Sequence, residues 1–302
     1  MRMMSYAQNR EDVVLARCFP EATGFYIDVG AANPVYHSVT KWFSSRGWNG
    51  VNIEPHPEFF KLIQADRPTE INVNAAISAE EGELVYFEVL NSIGCSTVNP
   101  ELAQQYRNQG TEILERVVRT VTLTQVCEQH VRGPIDFLKI DAEGHELKVL
   151  ESMDFQRWQP KVLVIETTAV ETWRHIPLTN GYHFALFDGL NQYYVHENHR
   201  ELLAKLTASA NCMDEYDVFD YVERIQILER ELAEARQGGV QVPRPKISIE
   251  EPRHDEMESI VAECSSNAVS RTAYRTLLSL YRENQRHLEA LRRSVLTGTR
   301  VA

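Results

Sequence analysis

The sequence lacks long apolar runs, closely spaced cysteines and an excess of basic charge. Its 302 residues are 43% hydrophobic, and 31 basic side chains stand against 43 acidic ones, which gives a net charge of −12. A chain that wraps nucleic acid through bulk charge is basic overall, so we expect no nucleic-acid partner. The hydrophobic content suffices for a full core, which excludes a disordered chain.

Apolar segments are short throughout the chain. The longest unbroken run is only a few residues around 162–165, and no apolar run follows Met1. A membrane-spanning helix needs about 20 apolar residues and a signal peptide at least about seven. We therefore expect no membrane span.

The cysteines are odd in number and widely scattered. They are Cys18, Cys95, Cys127, Cys212 and Cys264. A disulfide framework or a zinc site would require close pairs. The pattern predicts reduced thiols and a cytoplasmic location.

Short apolar strands alternate with helical stretches over the first two thirds of the chain. This alternation predicts an α/β fold, a parallel sheet covered by helices. The predicted strands are 24–29, 50–54, 70–77, 83–90, 135–140 and 161–166, and 182–187 with 192–195 form a hairpin. The predicted helices are 38–43, capped by Ser38, then 58–65 and 146–153.

A glycine turn follows the first predicted strand and precedes a helix. Gly30 there allows a sharp turn under a ligand, and Glu54 ends the next strand, where a carboxylate accepts both hydroxyls of a ribose. A dinucleotide would need Gly-x-Gly-x-x-Gly, but Ala32 and Asn33 occupy that stretch, so an NAD-dependent oxidoreductase is disfavoured. S-adenosylmethionine meets these requirements. Asp28 would face its amino-acid end, or would only brace the loop.

Six motifs stand in order between about residue 5 and residue 217. They begin at Tyr6, Gly24, Asn33, Gly47, Asn72 and Ile135, and the last reads Ile-Asp-Phe-Leu-Lys-Ile-Asp-Ala-Glu-Gly-His-Glu. Together they resemble the FkbM family of S-adenosylmethionine-dependent methyltransferases. The resemblance implies a seven-stranded class I methyltransferase (Rossmann-like) sheet, with the terminal hairpin supplying its antiparallel strand. It also implies methyl transfer, mostly to hydroxyls of sugars or natural products.

Cofactor contacts are expected from the residues that carry these motifs. They are Gln8, Asp28, Gly30, Ala31, Asn33, Ser38, Glu54, Pro55, Asn74 and Ala75. Gln8 is included because class I methyltransferases often have an N-terminal helix that closes over the cofactor. The segment 92–97 resembles a family motif and either lines the same pocket or forms an ordinary turn.

Two carboxylates end neighbouring predicted strands and are candidates for catalysis. Asp141 follows the predicted strand 135–140 and Glu166 ends the predicted strand 161–166, so both face one crevice. There they either hold one Mg²⁺ together, or one acts as the base and the other orients it. His145 is either a general base, with an ordinary pKa of about 6.5, or a solvent-facing residue in a first helical turn. Asp141 is the first choice.

These residues favour an O-methyltransferase that moves a methyl group from S-adenosylmethionine to a hydroxyl. The expected acceptor is a sugar in a glycan, a glycolipid or a glycosylated natural product. The alternative is a nucleoside-binding scaffold protein that acts through the helical extension described next. The sequence does not identify the acceptor, since specificity depends on the pocket's side chains.

The pattern changes at the end of this 1–217 methyltransferase domain. Apolar residues at steps of three and four predict an amphipathic helix over 218–236, and glycines and prolines predict a linker over 237–253. A second heptad pattern predicts a helical tail over 254–302, with seven arginines after residue 270. Such narrow apolar seams must be buried. The two helices that carry these seams either fold back on the first domain, pair in a homodimer, or dock on a glycan-assembly enzyme.

Overall fold

The computed structural model describes residues 2–90, 94–167 and 172–237, with side chains as far as 230. Its strands are β1 (Met3–Ser5), β2 (Phe25–Val29), β3 (Asn49–Ile53), β4 (Ile71–Val73), β5 (Ala76–Ile77), β6 (Gly82–Val89), β7 (Ile113–Val121), β8 (Phe137–Ile140), β9 (Val162–Glu166), β10 (Tyr182–Phe187), β11 (Asn191–His196) and β12 (Tyr216–Val218). Its helices are α1 (Glu11–Cys18), α2 (Lys41–Ser45), α3 (Pro57–Asp66), α4 (Pro100–Asn108), α5 (Leu123–His130), α6 (Glu146–Glu151), α7 (His175–Thr179), α8 (Phe219–Gln237) and a 3₁₀ helix at Glu197–Lys205.

Seven strands form the main sheet, in the order β10-β11-β9-β8-β2-β3-β4. The pairs β9–β8, β8–β2, β2–β3 and β3–β4 are parallel, whereas β11 runs antiparallel to both of its neighbours. The last hairpin therefore inserts its second strand between the first strand of the hairpin and the rest of the sheet. This is the arrangement that the family resemblance implies, and the predicted fold class is confirmed.

Both faces of the main sheet are covered, so its strands are buried on both sides. Successive residues of a strand point to opposite faces. Ile27 packs in the apolar cluster on one face with Ile53 and Leu138. Its neighbour Tyr26 packs on the other face, where its ring stacks on Phe137 with 5.6 Å between ring centroids.

A second, three-stranded sheet of order β5-β7-β6 is inserted after β4. The sequence predicts one strand over 70–77, and this prediction is wrong because the chain leaves the main sheet after Val73 and joins β7 at Ala76. At the break, the Asn74 side-chain amide donates to the carbonyl oxygens of Glu54 (2.8 Å) and Pro55 (3.2 Å). These bonds replace the strand ladder at the point where the two sheets separate.

The helix after β2 begins later than the sequence predicts. Its first residue is Lys41, so Ser38 does not cap it. The Ser38 hydroxyl is buried and accepts a hydrogen bond from the Arg67 guanidinium at 2.9 Å. A buried guanidinium needs hydrogen-bond acceptors. The Ser38 hydroxyl therefore bonds to Arg67 and does not cap the helix.

The extension begins with α8, which directly follows β12. Strand β12 pairs in parallel with β1, and the ring of Phe219 lies 4.9 Å from that of Tyr6. The boundary expected at residue 217 therefore falls within a strand of the first unit. Residues 238–302, with nearly all of the predicted linker and the whole tail, lie outside the described residues. Among those that the structure describes, no helix combines the length and apolarity needed to cross a membrane.

Candidate active site

A cavity opens at the carboxyl ends of β8, β2, β3 and β4, the edge where open α/β sheets bind ligands. It contains about 680 Å³ of empty space, part of it open to solvent. Three strand spacings separate β8 from β4, or about 14 Å. The cavity is therefore elongated across the sheet.

The two ends of the cavity differ in chemistry. We call the part lined by Ile53, Phe59, Ala75, Ile77 and Val149 the apolar end. The acidic end is the cluster of Asp141, Glu143 and Glu166, of which the first two line the cavity. Since Ala75 and Ile77 lie beyond β4 and Asp141 follows β8, the sheet order places these ends on opposite sides of β2 and β3.

Gly30 forms the floor where the two ends meet. Its φ of +73° lies in the left-handed region, and an added Cβ would lie 1.9 Å from the carbonyl oxygen of Asp141. The Gly30 amide also donates to the carbonyl of Ile53 at 3.0 Å. Only glycine fits both the conformation and the contact.

Glu54 is held in place by backbone amides. One carboxylate oxygen accepts from the Ala32 amide and the other from the His56 amide, both at 2.7 Å. Burial raises the pKa of Glu54 to about 7, although these two hydrogen bonds lower it. Each oxygen keeps a further lone pair for a ligand hydroxyl. The neighbouring Pro55 also lines the cavity.

Asp28 lies behind the Gly30 loop and does not line the cavity. Its carboxylate is buried, accepts from the Thr40 hydroxyl at 2.6 Å and lies 3.5 Å from the Lys139 ammonium. Lys139 in turn donates to the Gly30 carbonyl at 3.0 Å. This position corresponds to the bracing alternative, and direct contact of Asp28 with the cofactor stays a prediction.

The acidic end brings Asp141 and Glu166 together, with Glu143 as a third member. One oxygen from each carboxylate lies within 4.8 Å of the others. Burial and the charge of Asp141 raise the pKa of Glu166 well above its ordinary value. Burial, with Asp141 and Glu146, raises the pKa of Glu143 to about 8. Both glutamic acids are therefore mainly protonated at neutral pH.

Lys139 supplies the positive charge at this end. Its ammonium lies 3.1 Å from a carboxylate oxygen of Asp141. Burial lowers the pKa of Lys139, but the charges of Asp141 and Asp28 outweigh this effect and the net pKa is raised. The site thus places the Asp141 carboxyl group beside a permanent ammonium.

His145 lines the cavity and contacts a side chain of the inserted segment. Its Nε2 lies 3.2 Å from the hydroxyl of Ser78, which follows β5. Burial lowers the pKa of the imidazole. The half-buried ring is not the solvent-facing residue of the second interpretation, and a role as general base stays a prediction.

Five other expected cofactor residues lie off the cavity wall. The backbone carbonyl of the exposed Gln8 accepts from the Arg10 guanidinium (2.9 Å), and the Asn33 side chain accepts from the amides of Val35 and Tyr36 (2.9 Å each). The loops that frame the cavity use three further residues in hydrogen bonds of their own, namely Ser38, Ala31 and Asn74. Their contact with the cofactor stays a prediction.

Sequence reasoning did not identify Lys139, Glu143, Phe59 and Tyr86 as site residues. Phe59 and Tyr86 line the cavity, together with Gly94, Ser96 and Thr97 of segment 92–97, for which the sequence left a pocket lining and an ordinary turn open. The inserted sheet thus supplies part of the cavity wall. A lysine within the buried strand Phe-Leu-Lys-Ile was a usable signal, since lysine is almost never fully buried without a partner.

The sheet order is that of the class I methyltransferase fold, and Gly30 and Glu54 line the cavity at the carboxyl edge of the sheet. The profile of the methyltransferase FkbM domain matches residues 28–210. The chain belongs to this FkbM methyltransferase family.

Solved structures with a similar fold are distant in sequence. A TehB-like SAM-dependent methyltransferase from Corynebacterium glutamicum is 11% identical, with 62% of this chain and 87% of that chain covered and a TM-score of 0.35. Precorrin-6y C5,15-methyltransferase from Geobacter metallireducens is 9% identical, with 62% and 89% covered and a TM-score of 0.35. An O-methyltransferase from Bacillus cereus in complex with SAH is 11% identical, with 63% and 81% covered and a TM-score of 0.30. The curated proteins searched gave no match.

Proposed function

We propose that the protein is an O-methyltransferase that acts on a hydroxyl group, with a sugar of a glycan, glycolipid or glycosylated natural product as acceptor. The observation that carries the proposal is the position of Asp141, which lines one end of the cavity with a carboxylate oxygen 3.1 Å from the Lys139 ammonium. A hydroxyl is a weak acid and a poor nucleophile until a positioned base accepts its proton. The family resemblance supports the sugar acceptor.

The donor supplies a methyl group on a sulfonium sulfur, which leaves as a neutral thioether. Glu54 is placed to accept the ribose hydroxyls, and Gly30 lets the backbone approach the ligand closely. The acceptor oxygen forms the new bond to the methyl carbon, the carbon–sulfur bond breaks with its electron pair on sulfur, and Asp141 takes the hydroxyl proton. Glu166 orients Asp141, since a carboxylate oxygen of each lies within 4.8 Å of the other. Alignment of donor and acceptor supplies the rest of the rate enhancement.

A metal-assisted version is the second candidate at the same residues. Asp141 and Glu166, joined by Glu143, offer the carboxylate oxygens that Mg²⁺ prefers. We favour the metal-free version because Lys139 already places a cation 3.1 Å from Asp141. Under this version, turnover withstands EDTA. Loss of activity in EDTA with recovery in Mg²⁺ would establish the metal version.

The direct experiment is turnover with methyl-labelled S-adenosylmethionine and a panel of glycosylated acceptors. We expect the label in a methyl ether on a sugar carbon, detected by NMR of the product. Label on nitrogen or carbon would contradict O-methylation. Cofactor binding with no turnover on any acceptor would favour the nucleoside-binding scaffold. A glycan comparison between a deletion strain and its parent would then identify the natural acceptor.

A further inference from the structure

Once Glu54 is taken as the ribose site, the sheet order sets the direction in which the methyl donor would lie in the cavity. Glu54 follows β3, in the middle of the cavity, and adenine and the methionine chain leave the ribose in opposite directions. The charged amino-acid part matches the acidic end with Asp141 and Lys139. The flat adenine then lies at the apolar end, over Ala75 and Ile77.

At this apolar end His145 lines the cavity, and it contacts Ser78, which lies directly beyond the lining residue Ile77. His145 lies just before α6, and Val149, one turn along the same face, lines the cavity with it. The imidazole Nε2 lies 3.2 Å from the hydroxyl of Ser78, directly after Ile77. The loop after β8 therefore crosses to the β5 side and closes the cavity there.

This pair has the hydrogen-bonding capacity that an adenine edge requires. A neutral imidazole carries one donor and one acceptor, and a hydroxyl carries a donor and two acceptor lone pairs. Adenine presents an exocyclic amine beside a ring-nitrogen acceptor. The remaining lining at this end is apolar and contacts the faces of the ring without distinguishing one purine from another.

We propose that His145 and Ser78 read the adenine edge of the methyl donor, so that His145 selects the cofactor and Asp141 remains the base. The loop holding His145 is fixed from behind: the hydroxyl of Thr97 donates to the carbonyl of Glu143 at 2.6 Å, and the buried Glu146 accepts from the Gly144 amide at 3.0 Å. The imidazole is therefore presented by a braced loop. This inference rests on the methyl donor of the proposed function.

The test is calorimetry with S-adenosylhomocysteine and with its 6-oxo analogue, S-inosylhomocysteine. A site that hydrogen-bonds the amine leaves its polar groups unpaired with the analogue, so the natural chain should prefer the adenine form by at least about tenfold. In His145→Ala the ratio should fall to within about threefold. Ser78→Ala should lower it as well, and His145→Gln, which keeps a donor and an acceptor, should retain part of it.

Two variants serve as matched controls. Glu54→Ala should weaken both ligands and leave their ratio unchanged, because the ribose is common to them. Lys148→Ala, an exposed substitution on α6, should change neither constant. Thermal unfolding of each variant confirms that the measured chains are folded.

If His145→Ala and Ser78→Ala both keep the affinity ratio of the natural chain for the two ligands, the inference is overturned. The proposed methyl transfer is not affected by that result. A natural chain that binds the two ligands equally would overturn it as well. If the natural chain binds neither ligand, the proposed function fails with it.

Discussion

The two ends of the cavity are built by different means. The acidic end crowds three carboxylates and a lysine within a few ångströms, and the charges of these groups alter one another's protonation. The apolar end consists of side chains from β3, α3, α6, β5 and the residue before β5, with the polar His145 on its wall, 3.2 Å from the Ser78 hydroxyl. Recognition thus depends on shape and a few hydrogen bonds, and chemistry depends on coupled charges.

Gly30 joins the two ends, and its substitution should have the largest effect. Gly30→Ala places a methyl group 1.9 Å from the Asp141 carbonyl oxygen at a positive φ, and neither backbone moves without disturbing the sheet. We expect the free energy of unfolding to fall by at least about 3 kcal/mol, with loss of cofactor binding.

Gly47 provides a matched control for that substitution. Its φ is +94°, and no atom lies within 4 Å of an added Cβ. Gly47→Ala should cost only the conformational strain, about 1–2 kcal/mol. Urea unfolding of both variants measures the difference, and equal losses would show that contact with Asp141 is unimportant.

Removal of charge from the acidic end should affect turnover and not binding. Asp141→Asn keeps the shape of the side chain but removes the proton acceptor, so turnover should fall at least about a hundredfold with little change in cofactor affinity. Glu151→Gln, on the exposed side of α6, is the control. Undiminished turnover in Asp141→Asn would move the base to Glu166 or His145.

The strands at the cavity edge were largely predictable from sequence. Buried parallel strands are short apolar runs, and the acidic residues that end them, such as Glu54 and Asp141, stand out against such runs. The seven-stranded order itself came from the family resemblance.

The inserted sheet and the coupling of the acidic end were not predictable in the same way. Strand β7 carries charged residues such as Glu115 and Arg119 on its exposed side, which obscures its pattern. The proximity of Glu143 to Glu166 depends on a loop turn at a positive φ, and local sequence does not fix such a contact. Ser38 does not cap the helix as expected, because its hydroxyl accepts a hydrogen bond from Arg67, a residue distant in sequence.

Removal of the ribose acceptor should affect binding and not the chemistry. Glu54→Ala should lose about 2 kcal/mol or more of cofactor affinity, roughly thirtyfold, because hydrogen bonds to a charged group are the stronger kind. Glu54→Gln should lose less. Calorimetry with S-adenosylhomocysteine measures both, and unchanged affinity in Glu54→Ala would remove this role.

The same residue predicts a pH dependence of binding. With its pKa raised to about 7, Glu54 loses its charge as the pH falls through 7, and its carboxylate becomes a weaker acceptor. Affinity for S-adenosylhomocysteine should therefore decline several-fold between pH 8 and pH 6. Glu54→Gln should show a flatter profile, whereas an equal decline in that variant would assign the effect to another group.

The smallest effect on the cavity is expected from the C-terminal extension. Tyr221 and Leu228 of α8 are 61% and 45% exposed, and we expect such seam residues to pair between two copies of the chain. Light scattering should give about twice 34.7 kDa for the full chain and a monomer for a chain that ends at Gln237. The shorter chain retains β12, which pairs with β1. Unchanged mass with lost stability would favour a tail that folds back.

A crystal structure of the chain with S-adenosylhomocysteine tests the division of the cavity most directly. The account predicts both ribose hydroxyls on Glu54, the adenine edge within hydrogen-bond distance of His145 and Ser78, and the sulfur directed toward Asp141. A ligand with its adenine beside Asp141, or one bound outside this cavity, would contradict the account.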